Sequence, residues 1–501
     1  MSGFPPFLSE PSAGHHLIPK YIKLTQRFLL LLLLTGQLLT GQNAPQDHVR
    51  DFVRDPALAG AQISINVVDV ASGRQLAGHQ AAVACIPAST QKLLTTAMAM
   101  DVLGPDHRFQ TRLIVTGEVV DGTLNGDLYV VGGGDPSLGS PYLKGVPGLN
   151  AITGHWVSKV RAAGIRRING RVVGDGSYFG TQASSPGWPW SDLGNYYGSG
   201  AYGLNLHENF YFLDLLQRGR EGDIPPVQRT RPEVPDLRLT NELRSGPRGS
   251  GDQAYIYGAP FGYDNYVRGT IPVGTGRFTV KGALPDPPLF TAQLLCRKLT
   301  EAGVEVSLPA ESDRRVGGGR FADGTVIDTY RSPDLATLVD RTNLRSNNLY
   351  AEALLREVNK HRGRAPHEMA STEVLKEWLT GLGLSTTAVR FEDGSGLATR
   401  GFFPAQFMTD FLRNRAGDER WRKSIPLAGR TGSMRGFLKN TAANGRLYAK
   451  SGSLGAVRAY AGYVVRDDGQ ELAFAIMVNN FTVESKEVRK MMLRLMERLC
   501  E

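Results

Sequence analysis

The texture of the sequence changes twice, and those two changes constrain the fold more than any single motif. Residues 62–70 alternate apolar and polar side chains as a half-buried strand does. Ala71-Ser72-Gly73-Arg74 turns the chain, and a second strand runs toward Ala84 before a Leu/Ala/Met-rich helix that Gly104-Pro105 stops. Residues 106–289 then read as short β runs broken by glycine and proline, with strands over 112–119, 127–131 and 170–173 and one helix over 151–163. From Phe290 helices return, over 291–302, 347–359, 365–380 and 404–414, with a short strand at 304–307. Ser332-Pro333-Asp334 predicts a further helix start, Ser332 capping and Pro333 in the first position. Three strands follow at 445–451, 457–466 and 471–479, the last two joined by Asp467-Asp468-Gly469. An amphipathic helix over 484–500 carries Val488, Met491, Met492, Leu495 and Leu499 as a core-facing stripe. α/β sequence at both ends of a β-rich centre predicts one α/β domain built from residues 43–105 and 290–501, with residues 106–289 inserted as one or two β-rich domains.

Residues 1–42 stand outside that fold. Lys20, Lys23 and Arg27 precede an apolar run over 28–34, and small residues near Gly41 offer a cleavage site, the pattern of a secretory signal. The run is short for a membrane span, so no stable span is expected after cleavage; an uncleaved N-terminal anchor is the alternative. No cysteine sits at the cleavage site, which argues against a lipoprotein, and Cys85, Cys296 and Cys500 are too few for a disulfide framework, though one bridge could form. The 501 residues are 41% hydrophobic and 21% charged, ordinary globular values. Net charge is +9, but the arginines are scattered and no basic run is interleaved with aromatics, so nucleic acid is a poor partner. A basic exported protein suits an anionic polymer such as peptidoglycan.

Chemistry enters at Cys85-Ile86-Pro87-Ala88-Ser89-Thr90-Gln91-Lys92, where the buried helix begins. Ser89 falls in its first turn, and Lys92, three residues on, shares its face. A serine hydroxyl becomes nucleophilic when a base takes its proton, and a desolvated lysine is neutral enough to do so. Free amides at the helix start can hold a developing oxyanion. Four residues with two fixed recur by chance in a chain this long, so the motif needs partners. Two follow in order. Ser346-Asn347-Asn348 lies between two predicted helices, and Lys450-Ser451-Gly452-Ser453 lies on a predicted strand before the last hairpin. Separately they read as a helix cap and a strand end; together, in this order, they form the three-part set of penicillin-interacting serine enzymes. Arg430-Thr431-Gly432-Ser433 mimics the third part, but it lacks the lysine and precedes irregular sequence, so it is expected as a loop near the cleft. His207-Glu208 lacks the second histidine of a zinc helix, and Gly132-Gly133-Gly134-Asp135-Pro136 lacks the ending of a phosphate loop.

On these motifs the chain resembles the class C low-molecular-mass penicillin-binding proteins, the D-alanyl-D-alanine carboxypeptidase/endopeptidases of the penicillin-binding protein 4 type. The long interval from 89 to 346 and the short one from 346 to 450 match that family, as do Val131-Gly132-Gly133-Gly134-Asp135-Pro136, Gly174-Asp175-Gly176-Ser177-Tyr178-Phe179, Ser346-Asn347-Asn348-Leu349-Tyr350-Ala351-Glu352 and Asp393-Gly394-Ser395-Gly396-Leu397. Ser451 and Ser453 stand where threonine is commoner, and Ala398-Thr399 where Ser-Arg is more familiar, so no role is assigned there. The resemblance implies a DD-peptidase domain, an antiparallel sheet flanked by helices. It implies Ser89 as nucleophile, Lys92 as base and Ser346 as proton relay to the leaving nitrogen. Asn348 would hold the substrate amide and Lys92. Lys450 would supply positive charge, Ser451 and Ser453 would bind the substrate carboxylate beside Gly452, and the amides of Ser89 and Ser453 would form the oxyanion hole. No cofactor or metal is implied. The substrate would be a peptidoglycan stem peptide, β-lactams would acylate Ser89, and the setting would be the periplasm or cell envelope. A β-lactamase or esterase of the same superfamily, and a catalytically idle peptidoglycan-binding scaffold, are the rival readings; sequence does not separate carboxypeptidase from cross-link endopeptidase action.

Overall fold

The computed structural model describes residues 44–317, 324–364 and 372–501. The expected signal segment and the first turns of the helix expected over 365–380 lie outside the described residues; the rest of that helix is Glu373–Gly381. The two ends of the chain meet in one antiparallel sheet, ordered Gln75–His79, Gln62–Asp69, Glu471–Asn479, Val457–Val465, Leu447–Leu454. Gln62–Asp69 pairs residue for residue with Glu471–Asn479, from Gln62 opposite Asn479 to Asp69 opposite Leu472. Period-2 alternation divides each central strand between two cores. Leu472, Phe474, Ile476 and Val478 face the terminal helices Ala44–Val53 and Ser485–Arg498, while Ala473, Ala475 and Met477 face the helical layer. The expected stripe Val488, Met491, Met492, Leu495, Leu499 is buried in the first of these cores.

The helical layer is built around Lys92–Leu103. Every residue from Lys92 to Met100 is buried, as a helix apolar on all sides requires. Leu335–Arg345, Asn348–His361 and Glu373–Gly381 enclose it. Leu335–Arg345 is capped by Asp334, whose carboxylate accepts from the Thr337 amide at 2.9 Å, and not by Ser332 as the sequence predicts. Ser332 is engaged elsewhere: its amide donates to the Phe109 carbonyl and its hydroxyl accepts from the Phe109 amide, both at 3.0 Å. Leu335 N–H reaches the His107 carbonyl, so the segments entering and leaving the central region are hydrogen-bonded side by side.

Elements beyond residue 289 pack and pair with those of the middle of the chain. The helix beginning the expected second flank, Pro287–Glu301, starts under an Asp286 cap and buries Phe290, Leu294, Leu295 and Leu299 in the core of the middle region, beside Ile152, Trp156 and Val160 of Leu149–Ala162. Strand Thr325–Arg331 pairs antiparallel with Gln110–Val115. Further sheets, among them Val227–Arg231, Phe210–Leu216 and Arg277–Ala283, complete the middle. Cys85, Cys296 and Cys500 are free thiols. Among the described residues no helix is long and apolar enough to cross a membrane.

Candidate active site

Ser89 and Lys92 meet through a tighter turn than the sequence predicts. Ala88–Gln91 is a 3₁₀ turn, and the α-helix proper starts at Lys92. In 3₁₀ geometry side chains three residues apart eclipse, which stacks Lys92 directly over Ser89. Lys92 Nζ lies 2.8 Å from Ser89 Oγ and donates at 2.7 Å to the Ser395 carbonyl. Ser89 is half-buried at the cleft; Lys92 is fully buried. Burial lowers the lysine from 10.5 to about 7, against the pull of the Asp393 and Glu352 carboxylates toward the charged form. A fall of that size corresponds to on the order of 5 kcal/mol in favour of the neutral amine.

The second motif sits at a corner between helices. Ser346 ends Leu335–Arg345 in the left-handed region (φ 56°), and Asn347 caps the next helix by accepting from the Tyr350 amide. The corner turns the Ser346 hydroxyl toward the strand Leu447–Leu454, where Lys450 Nζ donates to it at 2.8 Å. Lys450 is fully buried, also donates to the Ser451 carbonyl, and is pushed well below the usual lysine range by burial and then by the charge of Lys92. Asn348 does not reach Lys92. Its amide donates at 2.7 Å to the Tyr197 carbonyl of the central region, and the Lys92 amine takes the Ser395 carbonyl instead.

The third motif closes the site from the sheet side. A Cβ on Gly452 would lie 2.6 Å from the Pro87 carbonyl oxygen and 3.0 Å from the Ser89 amide nitrogen, so the strand and the nucleophile turn approach as only glycine permits. Ser453 is exposed beyond it. The Ser451 hydroxyl lies 3.3 Å from that of Ser433, which places the Arg430-to-Ser433 segment as a turn at the cleft, as expected. Ser89, Ser346, Asn348 and Ser453 line one cleft of about 770 Å³ together with Tyr197, Tyr255 and Leu397.

Three contributors carry no role in the sequence reading. Asp393, almost fully buried, accepts from the amides of Gly396, Leu397 and Ala398 at 2.7–2.9 Å and from Trp188 Nε1 at 2.8 Å, which curls the loop so that the Ser395 carbonyl faces Lys92. Glu352, buried on Asn348–His361, accepts from the Gly394 amide, and burial beside Asp393 raises it to about 7. Trp188 comes from the central region. The available signal was the Asp-Gly-Ser-Gly run, an Asx turn followed by the chain-reversing Gly396 (φ 73°).

Residues 46–499 match the D-Ala-D-Ala carboxypeptidase 3 (S13) family. The chain is 29% identical to the D-alanyl-D-alanine carboxypeptidase of Actinomadura sp. (strain R39) over 87% of its length and 80% of that protein. It is 25% identical to the D-alanyl-D-alanine carboxypeptidase DacB of Haemophilus influenzae, over 86% and 88% respectively. The crystal structure of penicillin binding protein 4 (dacB) from Haemophilus influenzae superposes with a TM-score of 0.75 at 22% identity, covering 90% of this chain and 98% of that one. The same protein solved in complex with a β-lactam gives a TM-score of 0.71 at 21% identity, with the same coverage. With its chain ends joined in one antiparallel sheet and a match that runs the length of the described protein, the chain belongs to the D-Ala-D-Ala carboxypeptidase 3 (S13) family of serine peptidases.

Proposed function

We propose that Ser89 hydrolyses the terminal D-Ala-D-Ala bond of peptidoglycan stem peptides through an acyl-enzyme. The observation that carries this reading is the 2.8 Å contact between Ser89 Oγ and the buried, near-neutral Lys92 amine. The Ser89 hydroxyl donates its proton to neutral Lys92 as Oγ bonds to the penultimate D-Ala carbonyl carbon. The amides of Ser89 and Ser453 hold the oxyanion. Ser346, hydrogen-bonded to Lys450, relays the proton that Lys92 has taken to the departing nitrogen, so the C–N bond breaks, D-Ala leaves and Lys92 is a neutral amine again. Ser451 and Ser453 hold the substrate carboxylate beside Gly452, the negative charge of that carboxylate favours the cationic form of the buried Lys450, and Asn348 holds the acyl-side amide. Water, deprotonated at the same amine, then releases the shortened peptide. β-Lactams acylate Ser89 in place of the peptide. The same site cuts cross-links whose amine side is a second stem. The N-terminal segment exports the enzyme to the periplasm or cell envelope, and the division between catalytic and inserted parts falls at the paired segments near residues 105–109 and 332–336.

The test is product analysis. Incubated with a stem pentapeptide ending in D-Ala-D-Ala, the protein should release one D-Ala per peptide, while nitrocefin is opened once and then held. Rapid nitrocefin turnover without D-Ala release would assign a β-lactamase instead.

A further inference from the structure

A second cavity, of about 480 Å³, opens on the far side of Ser346. Tyr142, Tyr196, Tyr197, Glu208, Phe210 and Lys281 of the central region line one wall, and Arg341, Arg345, Ser346, Asn347 and Asn348 the other. Tyr196, Tyr197, Ser346 and Asn348 line the catalytic cleft as well, so the two cavities share a boundary. Its charges are unevenly answered. Glu208 is saturated: it accepts from Arg341 Nη2 at 3.0 Å, Asn347 Nδ2 at 3.0 Å, Tyr350 Oη at 3.1 Å and Ser140 Oγ at 2.6 Å. Lys281 and Arg345 have neither an ion pair nor a side-chain hydrogen bond among the described residues. The Lys281 ammonium stands instead 4.9–5.8 Å from the ring centroids of Tyr142, Tyr196, Phe210 and Phe212. Aromatic faces position a cation without cancelling its charge. Three cations against one carboxylate leave a surplus of two positive charges in a half-enclosed site, where an anion is held more strongly than on open surface.

The position of Ser346 says which part of a substrate arrives there. This step rests on the proposed function: the hydroxyl that protonates the departing nitrogen stands at the boundary, so whatever is bonded to that nitrogen continues into the second cavity. A lone D-Ala is too small to fill it. The geometry points to a subsite for the amine-side peptide of a cross-link, with Lys281 and Arg345 binding its free carboxylates. The central region thereby selects cross-linked over terminal substrates.

The test compares two substrates of the full-length enzyme: a stem pentapeptide, whose leaving group is D-Ala, and a cross-linked peptide dimer, whose leaving group is a carboxylate-bearing peptide. The double variant Lys281→Met, Arg345→Ala should raise KM for the dimer about tenfold or more. Its kcat/KM for the pentapeptide and its rate of acylation by penicillin should stay within about twofold of the wild type. Amidating the carboxylates of the leaving peptide other than the one beside the scissile nitrogen should impose the same loss on the wild type and none further on the variant. Calorimetric binding of the free amine-side peptide should weaken in parallel, and more steeply at low salt. Equal loss on both substrates, or undiminished binding of the amine-side peptide by the variant, overturns the subsite. If the wild type cuts neither substrate, the catalytic reading fails, and the binding measurement alone still decides the subsite.

Discussion

At Lys92 two large effects oppose each other. Complete burial favours the neutral amine, and the carboxylates of Asp393 and Glu352 favour the ammonium; burial wins, leaving the group near 7. Below that value Lys92 holds its own proton and cannot take one from Ser89; above it, the amine is free. Acylation by penicillin should therefore climb with pH through about 7 and level off above it, read by stopped-flow quenching across pH 5 to 9. Glu352→Gln removes a charge that raises Lys92 while keeping an oxygen for the Gly394 amide. The ascending limb should move to lower pH in that variant, and an unmoved limb would show that the Glu352 charge does not reach the base. Lys92→Ala should slow acylation by at least 10²-fold at every pH, since among the described residues no other amine is hydrogen-bonded to Ser89.

At the scale of elements, catalysis depends on how closely the strand Leu447–Leu454 is laid against the 3₁₀ turn Ala88–Gln91. Gly452 sets that approach. Gly452→Ala should push the strand back from the Pro87 carbonyl and the Ser89 amide, which are backbone atoms that cannot swing aside. A displacement of about 1 Å at a reacting group is enough for a roughly 10²-fold loss. The variant should keep its circular dichroism spectrum while penicillin acylation falls by about that factor; an unchanged rate would refute the tight-approach account. These elements were largely legible in sequence. Strand 471–479 was read with its observed limits, and the Ser89, Ser346 and Lys450 motifs stand out as short local runs, the first two at element ends and the third within the strand Leu447–Leu454. The roles of Ser395 and Asp393 were not, because one acts through a backbone carbonyl and the other through amides it gathers, and neither leaves a side-chain signature. Asn348 lines the cleft, but its bond to the Tyr197 carbonyl, a partner 151 residues away, was not legible. Ser332 was misread as a cap because its bond to Phe109 crosses 223 residues that a local pattern does not see.

Across the whole molecule, the central region is bolted to the catalytic part by buried polar contacts as well as by apolar packing. Trp188 reaches Asp393, the Tyr197 carbonyl receives Asn348, and Glu208 pairs with Arg341, whose side chains are 5% and 13% exposed. Removing one partner of a buried, multiply bonded pair strands the other charge, at about 3–5 kcal/mol. Glu208→Ala should lower the thermal midpoint by several degrees, and adding Arg341→Met should recover part of it; a midpoint unmoved by either change would mean the two regions do not stabilise each other through this pair. Pro287–Glu301 falls at the start of the expected second flank yet packs into the core of the middle region, a partnership invisible in sequence because it is a helix of ordinary amphipathic pattern and nothing local says which core it joins. Every step of the reaction starts at Ser89. Incubation with a labelled penicillin, proteolysis and mass spectrometry should find one adduct per chain, on the peptide containing Ser89, and none in Ser89→Ala. An unlabelled wild type, or a label on any other serine, would contradict it.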